Sequence, residues 1–478
     1  MSAAGDVLAI PDVRRLELGW GCSVVGELSG TIAMAVYAFE QGGAALVGVY
    51  GIARTLPAAV VAPVIMGLSD RVRRELLLRV ATGIRALLLC AAAVAAAADG
   101  LAVVVIALAA ASSMLASTYR PLLIAILPWL VRSPAQLGAV NVLATTMESS
   151  GALVGPVAGA ALLAVGPAWL AVLVASGFLA AGTSLLWRVR LYRHPDPGHP
   201  RRSLLADTVR GLAEMARVAP PAGMAVLLFA QTFVKGALSV LLVVLALDVV
   251  HAGESAVGWL YAAMGVGGLA GGAVAAAVVR ANRLGRAFVT GLLLWGLPLA
   301  LLAPAPGMVT CLAALTVVGA GNAIQDVGGG TLTPRLFTHR VLGRVLGAEE
   351  LIVFAGGGIG AAVAAPLIAV TGARGTLAVL GVGLVVLTAA YTVRFVQIDR
   401  ALPEAGPRTD LIRGLPIFAA LPLAVVDLLA TRLSAREYPA QTVVMREREF
   451  GEDARTSWRW SPGIPPALPP PRTSPAAC

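Results

Sequence analysis

Gly67-Leu-Ser-Asp70-Arg71-Val-Arg73-Arg74 stands between two stretches, 44–66 and 75–98, whose residues are almost all apolar. Each flank is long enough to cross the roughly 30 Å hydrocarbon core of a bilayer as a helix of about 20 residues. The segment between them carries four charges and belongs in water. The same alternation continues in both directions. It marks spans at 17–39, 44–66, 75–98, 101–119, 138–165 and 168–188, then at 223–247, 256–279, 287–303, 308–330, 343–370 and 375–396. A chain that is 58% hydrophobic and only 13% charged, with a mean hydropathy of +0.84, falls outside the soluble, fibrous and disordered classes. The expected fold class is therefore an all-α polytopic membrane protein of twelve transmembrane helices in two six-helix bundles. The 53 glycines and 30 prolines fit closely packed, kinked membrane helices.

Basic residues separate the loops into two sets. Arg14, Arg15, Arg71, Arg73, Arg74, Arg120, Arg132, seven arginines from 188 to 217, Arg280, Arg283, Arg286, Arg335, Arg340 and Arg344 fall on one side. The opposite loops contain only Arg374. Positive loops stay cytoplasmic, so both termini are expected inside, and the net charge of +10 reads as topology rather than as a nucleic-acid surface. The apolar stretch behind Arg14 and Arg15 is a first span rather than a signal peptide. Expected organisation is an N-terminus (1–16), a first bundle (17–190), a linker (191–222) with an amphipathic helix at 203–218, a second bundle (223–396), and two tail segments (397–454 and 455–478). Aligning Ala164-Val165 with Ala369-Val370 puts Gly151 and Gly155 opposite Gly356 and Gly360, which points to parallel internal repeats.

Taken with its position between the second and third spans, the 67–74 segment resembles the loop signature of the major facilitator superfamily, G-x-L-x-D-R-x-x-R-R/K. The resemblance covers about residues 14–396. It is imperfect: with Leu68 and Asp70 matched, Met66 stands where the family has Gly, and Gly67 is displaced by one. It implies a gating loop of Gly67, Asp70, Arg71, Arg73 and Arg74, in which Asp70 faces the positive N-terminal end of the eleventh helix. In the fifth span, Gly151-Ala-Leu-Val-Gly155-Pro156-Val-Ala-Gly159 resembles the GP-containing motif of family members that export substrate in exchange for protons. Small residues four apart also serve ordinary close helix packing. The resemblance implies proton-coupled export of a small organic compound by alternating access, in a bacterial cytoplasmic membrane. An uptake carrier, or a sensor or scaffold that has lost transport, are the alternatives.

Charges inside the spans carry the site reading, because each costs roughly 2.5–3.5 kcal/mol at the bilayer centre. Glu27, Arg54, Arg85, Glu148 and Lys235, the single lysine, lie near the midplane and are candidates for the substrate and proton pathway; static ion pairs are the competing role. Asp326, Glu349 and Glu350 sit nearer one end, as a lower-ranked cytoplasmic gate. No catalytic residue, metal site or cofactor is expected. The four histidines lie in loops without ligand spacing, the four cysteines show no CxxC, and GxxxxGK[ST] does not occur, so the chain is not expected to be an enzyme.

Residues 410–454, from Leu415-Pro-Ile-Phe418 to Gln441-Thr-Val-Val-Met445, resemble the opening of a cyclic nucleotide-binding domain, which some bacterial facilitators carry at the C-terminus. Glu447-Arg448-Glu449-Phe450-Gly451-Glu452 has Arg where that domain's E-G-E-x-G-D pattern has Gly. The later phosphate-binding part is missing, so no cyclic nucleotide binding is expected, and the proline-rich 455–478 is expected to be disordered.

Overall fold

The computed structural model describes residues 7–58, 72–127, 134–189, 219–280, 283–337 and 339–401, with isolated positions between and after these ranges. Asp70, Gly67 and Arg71, the amphipathic segment 203–218 for the most part, and the tail resemblance at 410–454 for the most part lie outside the described residues.

Ten helices among the described residues are long and apolar enough to cross a membrane. Two of them each hold two spans. Pro11–Thr55 carries spans 1 and 2, and its helical geometry breaks only at Gly42 and Gly43, where Gly43 takes φ 60°. His339–Ala401 carries spans 11 and 12, broken at Gly372 with φ 70°. A left-handed residue lets the chain reverse in very few residues, and only glycine does this without strain. The remaining spans are 3 (Arg74–Ala97), 4 (Ala102–Ala116, continued by Tyr119–Ile126), 5 (Pro134–Val165) and 6 (Ala168–Leu186). The second half supplies 7 (Ala219–Val244, ending in a π-turn at Leu245–Val249), 8 (Ser255–Arg280), 9 (Leu284–Leu302) and 10 (Met308–Leu336). The twelve-span expectation holds, with span 4 extending past its expected end and Pro156, Pro298 and Pro366 sitting inside helices.

Large apolar side chains cover the outside: Leu87, Val103, Val165, Leu301, Val309 and Val370 are each more than 70% exposed. Such a surface is stable in lipid and not in water. Inside, the halves are built alike. Gly151 and Gly155 of span 5 lie against Val24, Val25 and Leu28 of span 1, while Gly356 and Gly360 of span 11 lie against Phe229, Thr232 and Phe233 of span 7. The aligned glycines therefore make equivalent contacts in the two halves.

The halves meet through two seams. Gly48 and Gly51 of span 2 approach Ala361 of span 11, and Gly258 of span 8 approaches Ala160 of span 5 so closely that a Cβ at Gly258 would lie 2.5 Å from the Ala160 methyl. At the arginine-poor end one apolar core draws on both halves, from Ile32, Val36, Val47 and Ala92 to Val240, Leu260, Val318, Ala361 and Leu380. Among the described residues at the arginine-rich end the cores are separate. Leu16, Leu78, Leu122, Ile126 and Leu186 form one within the first half. Leu227, Phe288, Leu292, Leu332 and Phe395 form another within the second. Each half is also tied to itself there. Arg79 donates to the carbonyls of Leu186 and Val189, and the Asp399 carboxylate accepts from the N–H groups of Gly285 and Arg286 at 2.6 and 2.9 Å, capping span 9.

Candidate functional site

Midway along the first half, Arg85 of span 3 reaches span 1. Its guanidinium donates to Glu27 Oε2 at 2.5 Å and to Ser23 Oγ at 2.8 Å. Ser23 and Glu27 are one helical turn apart and share a face. Arg85 is 1% exposed and the Glu27 side chain 22%, so the pair is open to the interior from the Glu27 side alone. Ser112 of span 4 donates to the Arg85 carbonyl at 3.0 Å and joins a third helix to the cluster. The matched depth of Glu27 and Arg54 in the sequence makes them look like partners. Glu27 does lie among the electrostatic neighbours of Arg54, but its direct ion pair is with Arg85.

Arg54 is half-buried on span 2, close to the seam where Gly51 meets Ala361 and where Thr55 and Leu56 meet Gly358. Its guanidinium lies over the ring of buried Tyr50, 5.9 Å from the centroid. Glu27, Tyr50 and Tyr261 are its electrostatic neighbours, and Tyr261 comes from span 8 of the other half. Among the described residues no carboxylate is in ion-pair contact with Arg54. A cation–π contact returns about 0.5–2 kcal/mol, less than the roughly 2.5–3.5 kcal/mol that a charge at this depth costs. The charge of Glu27 acts on Arg54 as well, but its direct contact is with Arg85.

Across the cleft, buried Gln231 donates to Asn322 at 3.5 Å, and Asn322 donates to Asp326 Oδ2 at 2.8 Å. Lys235, one turn beyond Gln231, and Arg120 of the first half are the positive charges that act on Asp326. Arg120 pairs with Glu148 at 3.2 Å, both partners well exposed, and its charge also reaches Glu350. Thr333 donates to Glu349 at 2.7 Å, which holds that carboxylate within the second half. The midplane candidates thus divide into the paired Glu27 and Arg85, Arg54 without a direct carboxylate contact among the described residues, and the more exposed Glu148 and Lys235, which join Asp326 and Glu350 of the expected gate near Arg120. Arg73 precedes span 3 and Arg74 opens it. Gly151, Gly155 and Gly159 press span 5 onto span 1 at Val24, Leu28 and Ser29, with Pro156 among them.

Four participants escape a reading of the sequence. Tyr50 and Tyr261 are aromatics in apolar runs, and nothing in one sequence distinguishes them from core. Arg120 reads as a loop arginine because its helix continues further than hydropathy indicates. Glu17 reads as a span boundary after Arg14 and Arg15, yet it is 1% exposed and neither carboxylate oxygen has a partner among the described residues. Its isolation between Leu16 and Leu18 is the signal that was available.

At the arginine-poor end, Glu40 lies in the turn after span 1 and Glu254 in the turn before span 8, and their carboxyls meet in hydrogen-bond contact between the halves. Partial burial, then the negative charge of Glu254 and the hydrogen bond between them, push Glu40 up to about 7 from an ordinary 4.5.

No family model matches the chain. The uncharacterised MFS-type transporter y4rN of Sinorhizobium fredii (strain NBRC 101917 / NGR234) is 30% identical over 263 residues, which is 54% of this chain and 64% of that protein. The match thus spans less than two thirds of the relative's length. Among solved structures, a POT family transporter in complex with a thioalcohol-conjugated peptide superimposes with a TM-score of 0.61 at 15% identity, covering 81% of this chain and 99% of the other. The human organic anion transporter MFSD10 gives 0.58 at 17% identity, covering 80% and 99%. The nucleoside transporter NupG gives 0.57 at 12% identity, covering 82% and 99%. The chain has the major facilitator fold, and these relatives and neighbours are transporters rather than enzymes.

Proposed function

We propose that this protein is a secondary active transporter that carries a small organic compound by alternating access, with its arginine-rich end and both termini in the cytoplasm of a bacterial cell. The observation that carries the reading is the asymmetry of the cores. Among the described residues, two halves share an apolar core at one end and have separate cores at the other, as an inward-facing intermediate of such a cycle requires. Arg120, Glu148, Lys235, Asp326 and Glu350 bring charged groups of both halves together, and the positive-inside pattern assigns the arginine-rich face to the cytoplasm. Names of the structural neighbours add carriers of a peptide conjugate, organic anions and nucleosides, all small organic solutes.

Export against proton influx is the direction we favour, from the GP motif and from carboxylates that can exchange protons near an arginine: Glu27 beside Arg85 and Glu148 beside Arg120. An arginine stabilises the ionised form and a desolvated setting the protonated one, so movement between the two loads and releases a proton. The purified protein in proteoliposomes with an imposed pH gradient tests the reading. Flux of at least one compound from a panel of organic anions and cations is expected, with loss of pH drive in a Glu27→Gln, Glu148→Gln double variant. Absence of gradient-driven flux across the panel overturns it. Cysteine introduced at Ser69 is expected to resist impermeant reagents in intact cells, and labelling from outside reverses the orientation. For the C-terminal segment we propose no cyclic nucleotide binding, and micromolar binding of cyclic AMP or cyclic GMP by calorimetry overturns that part.

A further inference from the structure

Arg85 and Arg54 lie at similar depth in the first half, and the carboxylate between them is committed to one. Glu27 accepts from Arg85 at 2.5 Å, whereas Arg54 has the Tyr50 ring at 5.9 Å and no carboxylate in contact among the described residues. The local tally is two guanidiniums to one carboxylate, an excess of one positive charge. Three other acidic side chains of the interior are engaged elsewhere. Glu148 is on Arg120, Asp326 is beside Asn322 and Lys235, and Glu349 is on Thr333. Position adds to charge. Arg54 sits beside the seam of spans 2 and 11, next to the shared core, and its second phenolic neighbour, Tyr261, comes from the opposite half. A group bound here touches both halves at once.

On the reading that the chain is a transporter, we infer that Arg54, with Tyr50 and Tyr261, forms the subsite for an anionic group of the transported compound, which is an organic anion of the carboxylate or phosphonate class. A guanidinium offers five N–H donors in a planar fork that fits two oxygens of a carboxylate or phosphonate side by side. A phenol can donate one further hydrogen bond. Removal from water strengthens the charge-assisted contacts. Because the three residues span the seam, an anion bound among them is held differently when the halves move apart, and that difference in affinity is what couples binding to a conformational change.

The test uses the full chain in detergent and in proteoliposomes, with benzoate, phenylphosphonate and naphthalenesulfonate as anionic probes, tetraphenylphosphonium as the cation, and uridine as the neutral solute. Thermal stabilisation by at least one anionic probe is expected, with apparent affinity falling tenfold or more in Arg54→Gln. A smaller loss is expected in Arg54→Lys, which keeps the charge and loses the fork, and in Tyr261→Phe. Variants are compared only where they remain monodisperse, and the lysine variant serves if the glutamine variant is not. No stabilisation by any anionic probe, unchanged anion affinity in Arg54→Gln, or binding of tetraphenylphosphonium that persists in Arg54→Gln each overturn the inference. Failure here and failure of the transporter reading are separable. Flux of the cation or of uridine retains the transporter and removes the anion subsite. Arg54-dependent anion binding without flux in any gradient retains the subsite and removes the transporter.

Discussion

Both ends of the molecule are packed with apolar side chains and differ in how these are shared between the halves. At the arginine-poor end, residues of both halves form a single core through glycine and alanine seams. At the arginine-rich end each half completes a core of its own and adds its own polar ties, such as Arg79 to Leu186 in the first half and Asp399 to Gly285 in the second. A half that satisfies itself at one end can separate there without exposing unpaired groups. A contact made of small residues at the other can open for little loss of buried area, because alanine and glycine bury so little. The difference teaches that the halves are the rigid bodies and that the seams are the parts made to be broken.

That comparison fails first if a half is not rigid. Glu27→Gln leaves Arg85 buried without a carboxylate, and breaking such a pair costs about 3–5 kcal/mol. We expect the largest loss of thermal stability here, with Glu27→Gln, Arg85→Leu recovering much of it. A double variant as unstable as the single one shows that the pair does not hold spans 1 and 3 together. A step smaller is the seam itself. Gly258→Val forces a side chain into Ala160, and overpacking costs about 1–3 kcal/mol, a shift of roughly 5- to 150-fold between closed and open arrangements. Spin labels at Gln41 and Ala252 should report greater separation at the arginine-poor end, and an unchanged distance distribution places the closing contact elsewhere.

Protons give a finer test of the same end. The Glu40 and Glu254 carboxyls can share a hydrogen bond only while one of them is protonated, and Glu40 in the closed arrangement is pushed up to about 7 from an ordinary 4.5. The closed form therefore binds more protons than the open one. Its support is fullest below the ordinary value and is lost as pH rises to about 7. The label separation should grow over that interval in the parent protein and stay flat in Glu40→Gln, Glu254→Gln; an identical titration in both removes the contact as a proton-sensitive closure. The smallest effect belongs to Arg120 and Glu148, whose exposed pair is worth about 0.2–1 kcal/mol. Arg120→Gln should leave stability almost unchanged, and a loss comparable to that of Glu27→Gln means the cleft is drier than its exposure indicates.

The charges of the candidate site are conspicuous in the sequence because they stand within apolar runs, and Glu27, Arg54, Arg85, Glu148 and Lys235 all stand out in this way. Which of them touch was not. Glu27 could face either arginine until span 1 had a rotation relative to spans 2 and 3, and a rotation of one helix by about 100° moves a side chain by one residue position around it. Tyr50 and Tyr261 carry no charge and no spacing signature, and they join Arg54 only because two different halves bring them there.

Span number, the alternation of basic and neutral loops, the duplication and the fold class follow from hydropathy and residue type, since a bilayer imposes length and backbone satisfaction on each helix separately. The meeting of Gly48 with Ala361 and of Gly258 with Ala160, the choice of Arg85 over Arg54 for Glu27, and the confinement of shared packing to one end were decided only by tertiary structure. Those outcomes depend on how rigid helices rotate and tilt against one another, and helix packing is settled by the fit of side chains from distant parts of the chain.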